Sequence, residues 1–205
     1  MKKLLPVLIL TFSATAWAED FGSDFTAAMK NDYATSLVKI KDYAGAAEWY
    51  RLAADEGVVS AQLNLGVMYD NGKGVPEDDA EAVKWYTLAA EQGNAAAQLN
   101  LGIKYAKGQG VAQDDVEAVK WYKLAAEQGE TAAQYNLGVR YATGKGVEKD
   151  YQRAHMWWSL VTVGGKYRSL SMKNRAKIAA KMTHEQIEQA REMARECHLS
   201  KYKNC

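Results

Sequence analysis

Ala61-Gln-Leu-Asn-Leu-Gly66-Val-Met-Tyr69 returns as Ala97-Gln-Leu-Asn-Leu-Gly102-Ile-Lys-Tyr105 and again as Ala133-Gln-Tyr-Asn-Leu-Gly138-Val-Arg-Tyr141, each time 36 residues further on. Trp49, Trp85, Trp121 and Trp157 keep the same interval, as do Gly57, Gly93, Gly129 and Gly165. A strict period of this length describes a stack of supersecondary units, none of which buries its apolar face without its neighbours. Within the nonapeptide, Ala61, Leu65 and Tyr69 stand four apart and form one stripe of a helix. Gly66 lies beside that stripe, where a missing side chain lets another helix approach.

Outward from the nonapeptide, each copy runs into a Gly-x-Gly-Val loop: Gly72-Lys-Gly74-Val, Gly108-Gln-Gly110-Val and Gly144-Lys-Gly146-Val. Acidic positions follow, then Glu81-Ala-Val-Lys-Trp-Tyr86-Thr-Leu-Ala-Ala90, nearly repeated from Glu117 to Ala126. Ala82, Trp85, Tyr86, Leu88 and Ala89 make a broad apolar face at helical spacing. Asp78 precedes Glu81 by three, and Asp114 precedes Glu117 by three, a spacing that satisfies the free amides opening a helix. Gly57, Gly93 and Gly129 each follow a helical run and suit the left-handed residue that closes it. Each unit therefore reads helix, Gly-rich loop, helix, short turn, and the chain reads all-α. The recurring Trp residues, with Tyr50, Tyr86 and Tyr122, fall on an apolar helical face and read as core rather than as a carbohydrate platform.

These motifs resemble the Sel1-like repeat family, a relative of the tetratricopeptide repeats, over roughly Asp42 to Gly165. The resemblance implies a right-handed α/α solenoid of helix-turn-helix repeats that binds other proteins. It also implies that the first helix of each unit lines the concave surface. Residues off the Ala-Leu-Tyr stripe are then the expected partner-binding set: Leu63, Asn64, Val67 and Asp70; Leu99, Asn100, Ile103 and Lys107; Tyr135, Asn136, Val139 and Thr143. Asn64, Asn100 and Asn136 admit two readings. As a ladder of amides they would hold a partner's backbone, since each side chain both donates and accepts. Alternatively each ties its own repeat to a neighbouring loop. Met68, Lys104 and Arg140 vary most among the copies and are expected at a groove edge or in solvent.

The ends depart from the period as capping units should. Residues 1–18 read as a secretory signal peptide: Lys2 and Lys3 precede an apolar run from Leu4 to Phe12, and Ala16-Trp17-Ala18 offers a cleavage site before Glu19. The expected location is the periplasm, with secretion as the alternative. Residues 19–56 form a degenerate first repeat or cap, with Tyr33 and Asp42 where Tyr69 and Asp78 stand. Residues 57–165 hold the repeats, and 166–205 form capping helices with a basic tail. Met172 to Lys181 and Thr183 to Cys197 read as two helices, with Ile187, Ala190, Met193 and Ala194 as the docking stripe. Cys197 and Cys205 form a disulfide if the protein is exported, and are otherwise two thiols.

Charge is uneven. Residues 19–165 carry fourteen Lys and Arg against twenty-one Asp and Glu, whereas residues 166–205 carry ten against four. An acidic array repels phosphate, so nucleic acid is not an expected partner. His155, His184 and His198 stand apart, and His155 reads as a structural residue within a helix. No serine-nucleophile elbow, zinc-protease or phosphate-loop motif is present. The Gly-x-Gly loops follow helices rather than strands and recur in every copy, so a turn explains them. No catalytic residue, cofactor or metal is expected. The expected function is that of an exported interaction module, an adaptor or regulator. A sharper version is an immunity protein that inhibits a secreted toxic effector such as a lipase. The rivals are an enzyme of β-lactamase type and a peptidoglycan- or glycan-binding module. The former resemblance belongs to relatives with a Cys pair in each repeat, which these repeats lack. The latter requires aromatic rings exposed on the groove.

Overall fold

The computed structural model describes residues 25–162, 165–203 and 205, and among them there are ten helices and no strand. The signal-peptide expectation lies outside the described residues. They form two compact units, one ending at Asp78 and one running Asp79–Cys205.

The first unit contains α1 (Ala27–Lys39), α2 (Tyr43–Asp55) and α3 (Val59–Asn71). Thr26 caps α1 by accepting from the Met29 amide, and Asp42 caps α2 by accepting from the Gly45 amide at 3.0 Å. Trp49 is buried, with the rings of Phe25 and Tyr33 centred 5.7 and 5.0 Å from its own. The degenerate first repeat thus supplies aromatic cover that the period itself lacks at this end. Ala61, Leu65 and Tyr69 are buried along α3 as one stripe. Gly72 closes α3 in the left-handed conformation. Gly74 does something different: a Cβ there would stand 2.1 Å from the carbonyl oxygen of Tyr43, so the loop rests on the first turn of α2.

The second unit contains α4 (Asp79–Glu91), α5 (Ala95–Lys107), α6 (Asp115–Ala126), α7 (Thr131–Thr143), α8 (Tyr151–Leu160), α9 (Gly165–Ala179) and α10 (His184–Leu199). Asn94, Asp114 and Asp150 cap α5, α6 and α8 through their side chains, and Thr183 with Gln186 forms a capping box on α10. Gly102 and Gly138 admit rings from the facing helices. A Cβ on Gly102 would lie 2.7 Å from the Tyr122 ring, and one on Gly138 would lie 2.3 Å from the Trp158 indole nitrogen. The Gly-x-Gly loops repeat the arrangement of the first unit. Gly110 sits against the Asp79 carbonyl and Gly146 against that of Asp115, each within about 2 Å of where a Cβ would be.

Ala118, Tyr122, Ala125, Leu137, Met156 and Trp157 centre the main core of this unit. Trp157 is 1% exposed and shares the cluster with Ala194 and Cys197 of α10. Trp121 is only half-buried, which corrects the reading that the whole Trp series is core. The terminal helices also differ from expectation. α9 begins at Gly165 rather than Met172, since neither Pro nor a further Gly interrupts the run that follows. α10 docks through Ala190, Ala194 and Cys197, with Ile187 and Met193 half-buried beside them. Cys197 and Cys205 are joined by a disulfide, with Cα atoms 5.2 Å apart. The loop they close lays the Tyr202 ring over Gly129, in the turn between α6 and α7. Among the described residues no helix is long and apolar enough to cross a membrane.

Candidate binding face

Two amides two residues apart on α5 have opposite fates, and the difference defines the site. Gln98 is buried, and its Nε2 donates to the carbonyl of Ala90 at 3.1 Å, satisfying the C-terminal end of α4. Gln134 does the same to Ala126 on α6 at 3.4 Å, and in the first unit Gln62 does so to Ala54 on α2 at 3.2 Å. The glutamine of the Ala-Gln-x-Asn-Leu-Gly motif is therefore the internal tie. Asn100 and Asn136 are half-buried, and their side chains have no hydrogen-bond partner among the described residues. Asn64 in the first unit is alike in both respects.

Around Asn100, Leu99 and Ile103 are half-buried against the core while keeping one side in water, and Lys107 is exposed. Around Asn64, Leu63 and Asp70 are half-buried and Val67 is 37% exposed. The α7 row differs. The Tyr135 ring stands 5.4 Å from that of Tyr167, and its hydroxyl accepts from Asn174 Nδ2 at 3.4 Å, both on α9. Val139 packs on the cluster of Trp158 and Ile178. Thr143 is exposed, with its hydroxyl turned back onto the Val139 and Arg140 carbonyls. Part of the row expected to meet a partner is thus occupied by the chain's own α9. The sequence offered no signal for this, because α9 lacks the motif that would have placed it.

Of the three positions expected at a groove edge or in solvent, two are buried and the third is nearly so. Lys104 is 3% exposed and Met68 is 6% exposed, and the Arg140 side chain is 13% exposed. For the two charged positions the physical reason is a carboxylate 25 residues earlier. Lys104 pairs with Asp79 at 2.5 Å, and Arg140 pairs with Asp115 at 2.5 Å. Each acid opens the helix on which its partner packs, where negative charge is also favoured by the helix dipole. Of the adjacent acids, Asp114 caps the helix while Asp115 takes the ion pair. At the equivalent places of the first unit stand Tyr43 and Met68, neither of them charged. The exchange of both partners together was the available sequence signal. Arg140 also lies 5.8 Å from the centre of the buried Tyr122 ring. Burial pushes the Tyr122 phenol above its ordinary pKa, and the guanidinium opposes that shift.

His155 is buried in α8, and its pKa falls to about 4. Burial is the largest cause, and Arg175 and Arg191 act in the same direction. The ring is neutral at pH 7 and stands 3.4 Å from the Ser159 hydroxyl, which Arg175 also reaches at 3.2 Å. These contacts join α8 to α9, and the Ser159 hydroxyl donates to the His155 carbonyl at 2.8 Å. Among the described residues, no group of three or more His, Cys, Asp or Glu side chains is placed to hold a metal ion.

Paired helices with a Gly-x-Gly clasp, an internal glutamine tie and a residual face of apolar and amide groups define a repeat scaffold. The chain belongs to the Sel1 repeat family, whose Sel1 repeat model matches residues 36–58, 59–94, 95–130 and 131–160. The structure of a Sel1 repeat protein from Oxalobacter formigenes is 31% identical, covering 89% of this chain and 77% of that one, with a TM-score of 0.69. A second similar structure is c5321, described as a protective antigen present in uropathogenic Escherichia coli strains and displaying an SLR fold. It is 28% identical with a TM-score of 0.54, covering 91% of this chain but 48% of its own length. No curated protein matches the chain. Sel1 repeats generally mediate protein–protein interaction and typically serve as non-enzymatic scaffolds.

Proposed function

We propose that this protein is an exported adaptor or inhibitor that holds a partner protein on the face of its first helices, centred on α5 and reaching α7. The observation that carries this reading is the contrast between the glutamine and asparagine rows. The buried glutamines complete the fold, so the half-exposed asparagines are left over as donors and acceptors beside Leu99 and Ile103. A partner strand or helix end laid there would satisfy them without reference to its own sequence. Export rests on the composition of residues 1–18, and the Cys197–Cys205 bridge supports an oxidising compartment. Inhibition of a single secreted effector is the sharper form, and it requires one tight, stoichiometric partner.

The test is paired capture from native cells with the mature chain and with a Leu99→Asp/Asn100→Ala variant of unchanged helicity and melting. A stoichiometric exported hydrolase or toxin held only by the unaltered protein supports the inhibitor form. Several envelope proteins held only by it support the adaptor form. Partners retained equally by both proteins refute the face. Intact-mass measurement of periplasmic protein tests export, since the chain should begin at Glu19.

A further inference from the structure

Two ammonium groups lie near the ring of Tyr151, at the start of α8. Lys149 Nζ lies 4.8 Å and Lys181 Nζ 5.8 Å from the centre of its ring. Neither lysine is paired with a carboxylate among the described residues. Their neighbour Arg153 is placed differently, since it meets Asp150 at 3.6 Å and lies over the Tyr141 ring. Like charges drawn to one ring repel each other, and an anion between them relieves that repulsion. The surroundings add to the field. Residues 165–184 carry six basic side chains and no acidic one.

The Tyr151 ring and Lys181 line two concavities at once. The larger, of about 630 Å³, includes Tyr141, Lys149, Gln152 and Gln186. Glu148 and Asp150 also line it, and of these Asp150 is engaged as the α8 cap and with Arg153. The smaller, of about 230 Å³, is bounded by Val139, Ala142, Trp158 and Ile178, with Lys177 at its edge. A hollow of that size is below what a drug-sized molecule fills, and it suits one side chain. A cationic clamp therefore adjoins an apolar hollow for a single group.

We propose that this pair of concavities receives an acidic peptide segment of the partner, with a carboxylate between Lys149 and Lys181 and an adjacent apolar side chain in the Val139–Trp158–Ile178 hollow. The inference rests on the protein-binding reading above and specifies the partner's chemistry. Val139 and Thr143 belong both to the smaller hollow and to the expected face. An acidic array with a single basic end would use that end for an acidic segment, and like charge would repel the segment elsewhere.

The test is fluorescence anisotropy of the full mature chain with a labelled nonapeptide of alternating glutamate and leucine. One control peptide has glutamine for glutamate, and another has alanine for leucine. Binding should weaken at least ten-fold with either control, and at least ten-fold in the Lys149→Gln/Lys181→Gln variant. Both lysines are exposed, so that variant should keep the wild-type melting curve. Equal affinity for the glutamate and glutamine peptides overturns the proposal, as does unaltered binding by the lysine variant or no binding at all. Preference for phosphatidylglycerol vesicles over the peptide also overturns it, assigning the basic end to a lipid surface. Native partner capture separates this proposal from the reading beneath it. Capture lost with Leu99→Asp but kept with the lysine variant removes only the clamp, and capture kept with Leu99→Asp removes the face.

Discussion

Asp115→Tyr combined with Arg140→Met should cost far less than the sum of the two changes made singly. Arg140 keeps only 13% of its side chain in water, and Asp115 keeps 28%. Taking the acid away leaves a nearly buried guanidinium without its carboxylate. Breaking a fully buried pair this way costs about 3–5 kcal/mol. The remaining exposure and the Tyr122 ring at 5.8 Å lower that figure, so Asp115→Tyr should cost about 2–3 kcal/mol. Arg140→Met strands the better-solvated partner in the first turn of α6, where the helix dipole still favours it, and should cost about 1 kcal/mol. Together the two changes install the pair found at the equivalent places of the first unit, Tyr43 and Met68. The double variant should lie within about 1 kcal/mol of the parent, because apolar replacement of a buried ion pair is commonly neutral. Urea unfolding read by circular dichroism and by tryptophan fluorescence measures the cycle, provided the two transitions coincide. Losses that add, with no coupling beyond about 0.5 kcal/mol, would refute the argument.

Three further outcomes are expected. Gly93 and Gly110 both have positive φ, +88° and +70°, but only Gly110 has backbone within 4 Å of a Cβ. Gly93→Ala should therefore cost about 1–2 kcal/mol for the left-handed backbone alone, and Gly110→Ala distinctly more; equal melting points would deny the clasp. Trp157→Ala should cost about 3–5 kcal/mol, and Trp121→Ala less than half of that because its ring is partly in water; equal losses in chemical denaturation would contradict the burial difference. His155 is held near pKa 4 in the folded state against 6.5 for a free histidine side chain. Below pH 6.5 the unfolded chain takes up a proton that the folded chain refuses, so this contribution falls with pH down to about 4. The loss is at most about 3 kcal/mol, and His155→Phe should flatten the stability profile across that window; an unchanged slope would mean the ring is not the cause.

The sequence displayed the fold so fully because a repeat states its packing several times. Ala61, Leu65 and Tyr69 needed only their spacing to declare a stripe, and the close approach read from Gly66 is seen at its repeat equivalents Gly102 and Gly138. The loops were half legible. Turn chemistry accounts for Gly108 and Gly144, whereas Gly110 and Gly146 answer to a carbonyl more than thirty residues earlier, and local reasoning does not reach it. Lys104 and Arg140 read as solvent-exposed for a similar reason: a charge at a variable position looks superficial until its carboxylate is seen. At the candidate face, spacing set the asparagines off the Ala-Leu-Tyr stripe, and the structure leaves them half-buried. Spacing did not decide between a structural and an available amide, because that depends on which of Gln98 and Asn100 reaches the end of α4. The cover over Tyr135 came from α9, a helix outside the period.

The Gly-x-Gly loops have a consequence for how such arrays lengthen or shorten. Each loop returns to the opening turn of a helix two elements before it, so residues 43–74, 79–110 and 115–146 each close on themselves. That self-contained module starts at the second helix of one written repeat and ends in the loop of the next, out of phase with the text. A duplication or deletion in this phase, with its seam between Gly146 and Asp150 or between Gly110 and Asp114, leaves every clasp intact. A seam at Gly93 or Gly129 parts a loop from its seat. Grafting whole modules in the closed phase is therefore the route to arrays of altered reach, with the asparagine row extended or trimmed one amide at a time.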